Sequence, residues 1–463
     1  MVNDCTFILL GATGDLARRK LIPALAQLLK QKTVEKLLIV GIGHDMSNAQ
    51  TLADVARPYS TGYVDDQSWQ QLVESMVYQQ MDITKKEDVS TLCTMVNQLE
   101  MERGLSGRRI LYCAVGSSLF GIATHNALTS GLICKKELND PIWHKVIYEK
   151  PFGSDQQSAI LLNVTITELL EDHQIFRIDH YLTKGVCNSI ATLRFANLIF
   201  ESLWNAGGIE QVIITLAQTE GVPGRGLFYE SHGALRDVVQ NHLLTLLSLI
   251  AMDKPERLYG DSVRKARYLA LKDTYLTDVV LGQCDAYKQE NGVRPDSRTE
   301  TFALLRLFVR NERWAGVSFY LMTGKYLDNN DSSIRIKFRK ASHMLSFDSN
   351  PLANWLTLNL DAEGMCALSL NIKKPGHTHL LTTASLEFSH GQLFEAYPIR
   401  AYQILLDEII QAESSAAVSI DEIVQAWRII DHTYAIKSPV YAYQKGTSGP
   451  EQANIFAKKY TMG

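Results

Sequence analysis

The chain has 463 residues, 46% of them hydrophobic and 21% charged, with a formal net charge of -4. That length exceeds one ordinary hydrophobic core and implies two or three domains. The charge balance excludes a general nucleic-acid binder and supplies no polybasic patch for a membrane surface, and the longest apolar stretch, residues 243–252, is too short to span a bilayer. Seven Cys are scattered without a CxxC pair, which suits free thiols in a reducing compartment. No signal-peptide pattern opens the sequence, so a cytoplasmic, enzyme-sized protein is expected.

Residues 6–10 form an almost continuous apolar run, the mark of a strand buried on both faces. It leads into Gly11-Ala12-Thr13-Gly14-Asp15-Leu16-Ala17 and an apolar-periodic helix, a G-x-x-G-x-x-A variant of the dinucleotide fingerprint. Gly11 allows the tight turn, Gly14 lets the backbone approach a pyrophosphate, and Ala17 lets the helix pack close to the sheet. Coenzyme contacts are therefore expected from Gly11, Ala12, Thr13, Gly14, Asp15 and Leu16, with Lys20 a turn further on. A second strand, 36–40, ends near His44-Asp45, where a Rossmann fold reads the adenosine ribose. An acid there favours a free 2′-hydroxyl and an Arg favours a 2′-phosphate, so this pair sends a mixed message. Further buried strands at 109–115 and 144–148 end in Gly116-Ser117-Ser118 and Glu149-Lys150-Pro151-Phe152-Gly153. Lys150 thus lies just past a strand's carboxyl end, where such sheets bind ligands, and Pro151 is a candidate for a cis bond.

Residues 175–178 run as a strand into Asp179-His180-Tyr181-Leu182-Thr183-Lys184. A strand end has little reason to gather these side chains. A phosphate site does, because His and Lys supply charge, Tyr a directional O–H, and Asp can orient a base; the alternative is a polar loop whose charges pair with one another. Beyond it the texture changes. Residues 212–217, 302–310, 314–321 and 334–338 read as strands with short connections, and 234–252 as a helix with Leu235, Val239, His242, Leu246 and Leu249 on one face. The tail after Ser438 reads as surface chain, and His377 and His379 as exposed turn residues rather than metal ligands, since nothing supplies a third and fourth donor. The expected architecture is an α/β Rossmann-type dinucleotide-binding domain over 1–178, then an α+β domain with a large, mainly antiparallel sheet over 179–463.

The fingerprint, Glu-Lys-Pro-Phe-Gly, Arg-Ile-Asp-His-Tyr-Leu-x-Lys, Gly-Ala-Leu-Arg-Asp-x-Val-Gln-Asn-His and Trp314-Ala315-Gly316-Val317 with Thr323-Gly324-Lys325 occur in one order. In that order the chain resembles the glucose-6-phosphate dehydrogenase family, over nearly its whole length to Gly446-x-x-Gly449-Pro450. The resemblance implies oxidation of a sugar phosphate, glucose 6-phosphate by default, at C1 to a lactone, with NADP or NAD as hydride acceptor and no metal. It implies subunit pairing through the larger sheet, as a homodimer or homotetramer. It makes His242 the general base and Asp179 its orienting carboxylate. It makes His180, Tyr181 and Lys184 a phosphate clamp, and Asp237, Lys150 and Lys325 sugar contacts, with Lys150 also near the coenzyme.

Several matched positions depart from the family pattern. An Arg after the second strand is His44, which removes a permanent charge and favours relaxed or NAD-leaning coenzyme choice. A sugar-binding Glu is Gln218, and a second cation is Asn330. The Gly-Lys-Glu end of the phosphate motif is Thr183-Lys184-Gly185, paired prolines are Gly116-Ser117, and a Gln expected near 359–363 is absent. Two alternatives stay open: a paralogous dehydrogenase of a modified hexose phosphate, and a non-catalytic sensor of sugar phosphate or coenzyme.

Overall fold

The structure is a computed structural model that describes residues 2–182, 185–341, 351–361, 364–377, 380–389, 401–411, 415, 417–460 and 462. The apolar runs at the start of the chain become the centre of a parallel sheet. Strands β1 (Val2–Leu10), β2 (Val34–Gly43), β3 (Met76–Gln80), β4 (Arg109–Cys113), β5 (His144–Tyr148) and β6 (Ile175–Arg177) lie in the order β3-β2-β1-β4-β5-β6. Every pairing is parallel, and β1 sits between β2 and β4. The strand order therefore reverses beside β1, and a crevice for ligands opens outside the carboxyl ends of β1 and β4. Gly11 follows β1 at that point. β3 was not foreseen, because Met76-Val77-Tyr78-Gln79-Gln80 is short, and only its first residue is buried.

The second sheet has nine strands. They are β7 (Ile209–Ala217), β8 (Thr274–Cys284), β9 (Phe302–Val309), β10 (Ser318–Gly324), β11 (Asp331–Phe338), β12 (Trp355–Asn359), β13 (Met365–Lys373), β14 (Leu381–Ser389) and β15 (Val440–Tyr443). Their order is β14-β13-β12-β11-β7-β10-β9-β8-β15, antiparallel except for β10 with β7 and β15 with β8. Both expected domains are thus present in kind: a doubly wound α/β unit and a mainly antiparallel sheet covered by helices. The third strand foreseen here, 314–321, starts too early. Trp314 lies in a tight helical turn, Glu312–Trp314, and pairing begins only at Ser318. The tail is also corrected. Val440–Tyr443 adds an edge strand, and the helix Glu451–Lys459 buries Ala453 and Phe456 on the sheet.

The foreseen helix at 234–252 starts earlier and is wound differently. Gly226–Ala234 leads into it and breaks at Gly233, Leu235–Leu243 is a π-helical stretch, and Leu244–Ala251 is regular α-helix. Buried side chains of the parallel sheet and of this helix belong to one continuous core. A late helix, Ala401–Ile410, returns to the first sheet: Lys145 on β5 donates to the Ile409 carbonyl at 2.5 Å.

Candidate active site

The end of β6 delivers Asp179 and His180 to the face of the π-helical stretch. His242 Nδ1 donates to Asp179 Oδ1 at 2.7 Å, and both side chains are buried. A carboxylate can only accept, so this bond fixes the proton on Nδ1 and leaves Nε2 with its lone pair. Tyr181 N–H donates to the same Asp179 oxygen at 2.9 Å. Burial works to raise the Asp179 pKa, but the charge and hydrogen bond of His242 prevail and hold it well below the carboxylate range. For His242, burial is the largest influence and lowers it below 6.5, only partly offset by Asp179. The pair is therefore a carboxylate and a neutral imidazole near neutral pH. The His180 and Tyr181 rings stand 4.9 and 4.4 Å from the His242 ring. Ligand atoms of Asp179, His180 and His242 lie within 4.8 Å of one another, the one such cluster among the described residues. Its Asp179–His242 bond already uses Nδ1 and Oδ1, as a proton-transfer pair requires.

Winding explains why Asp237 joins this group. Residues five apart on an α-helix point about 140° away from each other. The i→i+5 bonding of a π-helix makes each turn longer and brings positions 237 and 242 back toward one side. Asp237 is buried and accepts from Lys150 Nζ at 3.1 Å, and its backbone carbonyl accepts from the same Nζ at 3.1 Å. Burial works against its charge, yet Lys150, Lys325 and Arg225 hold its pKa well below the usual range. Asp237 is thus neither a helix cap nor a solvated charge. The Lys150–Pro151 bond is cis.

Upstream, the turn into the π-helical stretch is held by Glu300. Its carboxylate accepts from Leu235 N–H at 3.1 Å and from the Tyr434 phenol at 3.0 Å. Gly233, at φ +64, makes room: a Cβ there would stand 2.4 Å from Glu300 Oε1.

Lys325, just past β10, donates to Gln218 Oε1, just past the paired end of β7. Burial lowers the Lys325 pKa, partly offset by Asp237. Asn330 points its amide oxygen at Thr219, accepting from its N–H at 2.9 Å, so this side chain pins the Gln218 loop. Two further segments hold Lys325 in place: its N–H donates to the Thr301 carbonyl at 2.9 Å, and its carbonyl accepts from the Tyr443 phenol at 2.7 Å. Lys184 and His379 lie outside the described residues; His377 is exposed.

The glycine turn fits a dinucleotide. Gly11 has φ +82, and a Cβ there would meet the Ala114 carbonyl at 2.4 Å, so only glycine lets β1 and β4 close at the crevice. Thr13, Gly14 and Asp15 are exposed along the turn, Ala12 is buried beneath it and Leu16 is half-buried. Asp15 pairs with Arg18 at 2.6 Å and Arg19 at 2.9 Å, and Lys20 is exposed on the same helix. His44 is exposed beyond β2.

The family model described as "Glucose-6-phosphate dehydrogenase, NAD binding domain" matches residues 8–188, and the one for the C-terminal domain matches residues 191–462. The chain belongs to the glucose-6-phosphate dehydrogenase family. Glucose-6-phosphate 1-dehydrogenase of Chlamydia pneumoniae is 31% identical over 98% of this chain and 94% of its own. That of Aggregatibacter actinomycetemcomitans is 32% identical over 99% and 96%. Among solved structures, a glucose-6-phosphate dehydrogenase in complex with its substrate glucose-6-phosphate superimposes with TM-score 0.90 at 26% identity, covering 99% of this chain and 98% of its own. The Mycobacterium avium enzyme gives 0.84 at 30% identity, with the same coverage.

Four groups around this glucose-6-phosphate dehydrogenase family site escaped the sequence. Glu149, inside the Glu-Lys-Pro motif, is buried and accepts from the Tyr112 phenol at 2.6 Å and the Tyr402 phenol at 3.2 Å; burial pushes its pKa up. Tyr402 also stacks on His180 with ring centres 5.9 Å apart. Glu300 and Arg225 complete the set. Glu149 was visible in a charged motif; Tyr402 and Glu300 arrive from distant segments and carry no local signal.

Proposed function

We propose that the protein oxidises D-glucose 6-phosphate at C1 to 6-phosphoglucono-1,5-lactone, with NADP or NAD as coenzyme. The buried Asp179–His242 pair, set beside the Lys150–Asp237 ion pair, carries this reading. A bound nicotinamide supplies the hydride acceptor. His242 Nε2 takes the C1 hydroxyl proton as the C1–H hydride departs, and the C1–O bond becomes a carbonyl. Asp179 holds the imidazole in the one tautomer that leaves Nε2 free and stabilises the imidazolium that forms. His180, Tyr181 and Lys184 bind the 6-phosphate. Lys150, Asp237, Lys325, Gln218 and Asn330 form the sugar side, with Asn330 acting through the Thr219 loop. Gly11, Ala12, Thr13, Gly14, Asp15, Leu16, Lys20 and His44 form the coenzyme side, which Lys150 also meets. The coenzyme unit is residues 1–178 and the substrate unit 179–463. Two copies pair through the large sheet in a cytoplasmic enzyme.

The test is nicotinamide reduction by the purified protein given glucose 6-phosphate and each coenzyme separately. Turnover is expected, and His242→Asn should lower kcat by about 10²–10⁴-fold while sugar-phosphate binding persists. Binding without turnover in the intact protein would leave only a sensor.

A further inference from the structure

The turn after β2 carries a carboxylate that is fixed in place. Thr13 Oγ1, on the glycine turn, donates to Asp45 Oδ2 at 3.2 Å. Two side chains of β3 hold the backbone beneath: the Tyr78 phenol donates to the Asp45 carbonyl at 2.6 Å, and Gln80 Nε2 to the His44 carbonyl at 2.7 Å. Gly43 permits this crowding, since a Cβ there would meet the Tyr78 oxygen at 2.8 Å and Thr13 Oγ1 at 3.1 Å. The carboxylate therefore bridges the end of the second strand and the glycine turn, where a doubly wound sheet receives the adenosine ribose.

The two arginines of the helix that follows the glycine turn are already engaged. Arg18 and Arg19 are both paired with Asp15 and lie over the Tyr59 ring at 5.9 and 5.5 Å. On the turn itself the nearest basic side chain in sequence is His44. A carboxylate is acceptor-only, so Asp45 matches a ribose 2′-hydroxyl, which donates. It opposes a 2′-phosphate, which brings up to two negative charges and no donor.

We infer that this chain selects NAD over NADP, and that Asp45, oriented by Thr13, is the residue that discriminates. The inference rests on reading the Gly11–Gly14 turn as the coenzyme site and deepens that reading. Like charges about 4 Å apart in a solvated site cost each other on the order of tenfold in affinity per pair, so NAD should bind at least about tenfold tighter.

Calorimetric titration of the intact protein with NAD and with NADP at pH 8 tests this without needing turnover. The expected result is tighter NAD binding. Asp45→Ala should narrow the ratio of the two dissociation constants by about tenfold, and Asp45→Ala with His44→Arg should reverse it. Asp45 is exposed, and equal melting temperatures would show the variants folded. NADP binding as tightly as NAD in the intact protein, or a ratio unmoved by Asp45→Ala, overturns the inference alone. Failure of both coenzymes to bind overturns the coenzyme-site reading beneath it as well.

Discussion

The smallest unit that decides activity is one hydrogen bond between two buried side chains. A base works when deprotonated, and burial holds His242 below 6.5. Turnover should therefore stay on its plateau as pH falls through 6.5 and decline only at lower pH. Read at saturating sugar phosphate, kcat against pH gives the midpoint of that acid limb, and a midpoint above 6.5 would contradict the burial argument. Asp179 raises the His242 pKa, so Asp179→Asn should push the limb lower still. The same change should reduce kcat by up to about 10⁴-fold, since an amide no longer enforces the Nδ1–H tautomer. At this scale the sequence was most readable where chemistry was densest. Asp179, His180 and Tyr181 follow a strand in an unbroken charged and aromatic run, and His242 and Asp237 share one motif. Tyr402 and Glu300 gave no such sign, because their partners stand far off along the chain and only packing brings them in.

Among elements, the π-helical stretch Leu235–Leu243 matters most. Its apolar stripe was legible as a helix, but α-periodicity placed His242 on the core face among the leucines. The wider winding was invisible, because an extra residue per turn changes hydrogen bonding without changing composition. The stretch depends on Gly233, whose backbone, at φ 64 and ψ -177, is nearly glycine-only. Gly233→Ala would add that strain to a clash with Glu300 and should destabilise the protein by roughly 2–5 kcal/mol. A drop in the denaturant midpoint of that size, with kcat falling in step, is expected. An unchanged midpoint would mean that the turn relaxes freely. β3 and β15 were missed for a related reason, since strands of five and four residues that bury few side chains leave too short a pattern to count.

At the level of the molecule, both sheets were foreseen in kind, but the far end of the larger one was not. Across β13 and β14, Leu368 lies opposite Leu386, Cys366 opposite Phe388 and Ile372 opposite Thr382, on one face. Leu386 is 63% exposed, Phe388 41% and Ile372 44%. An apolar face this open suits a partner surface, the place where the proposed pairing of copies should bury it. Leu386→Lys should shift the mass measured by light scattering to that of one chain while coenzyme binding remains. A wild-type protein that is already monomeric at micromolar concentration would remove this face from consideration.

β15 has a consequence in time as well as in space. The segment that follows it grips the Lys325 loop: Gly446 N–H donates to the Tyr326 carbonyl at 2.8 Å and Asp328 N–H to the Thr447 carbonyl at 3.0 Å. During synthesis His242 leaves the ribosome roughly 10–40 s before Tyr443 does. In that interval a nascent chain already holds its base and its glycine turn, but the loop of the lysine proposed to meet the sugar lacks the bonds that Tyr443, Gly446 and Thr447 supply. A chain released before Val440 should still bind coenzyme yet grip the sugar phosphate poorly, so competence for the substrate arrives with the last strand made.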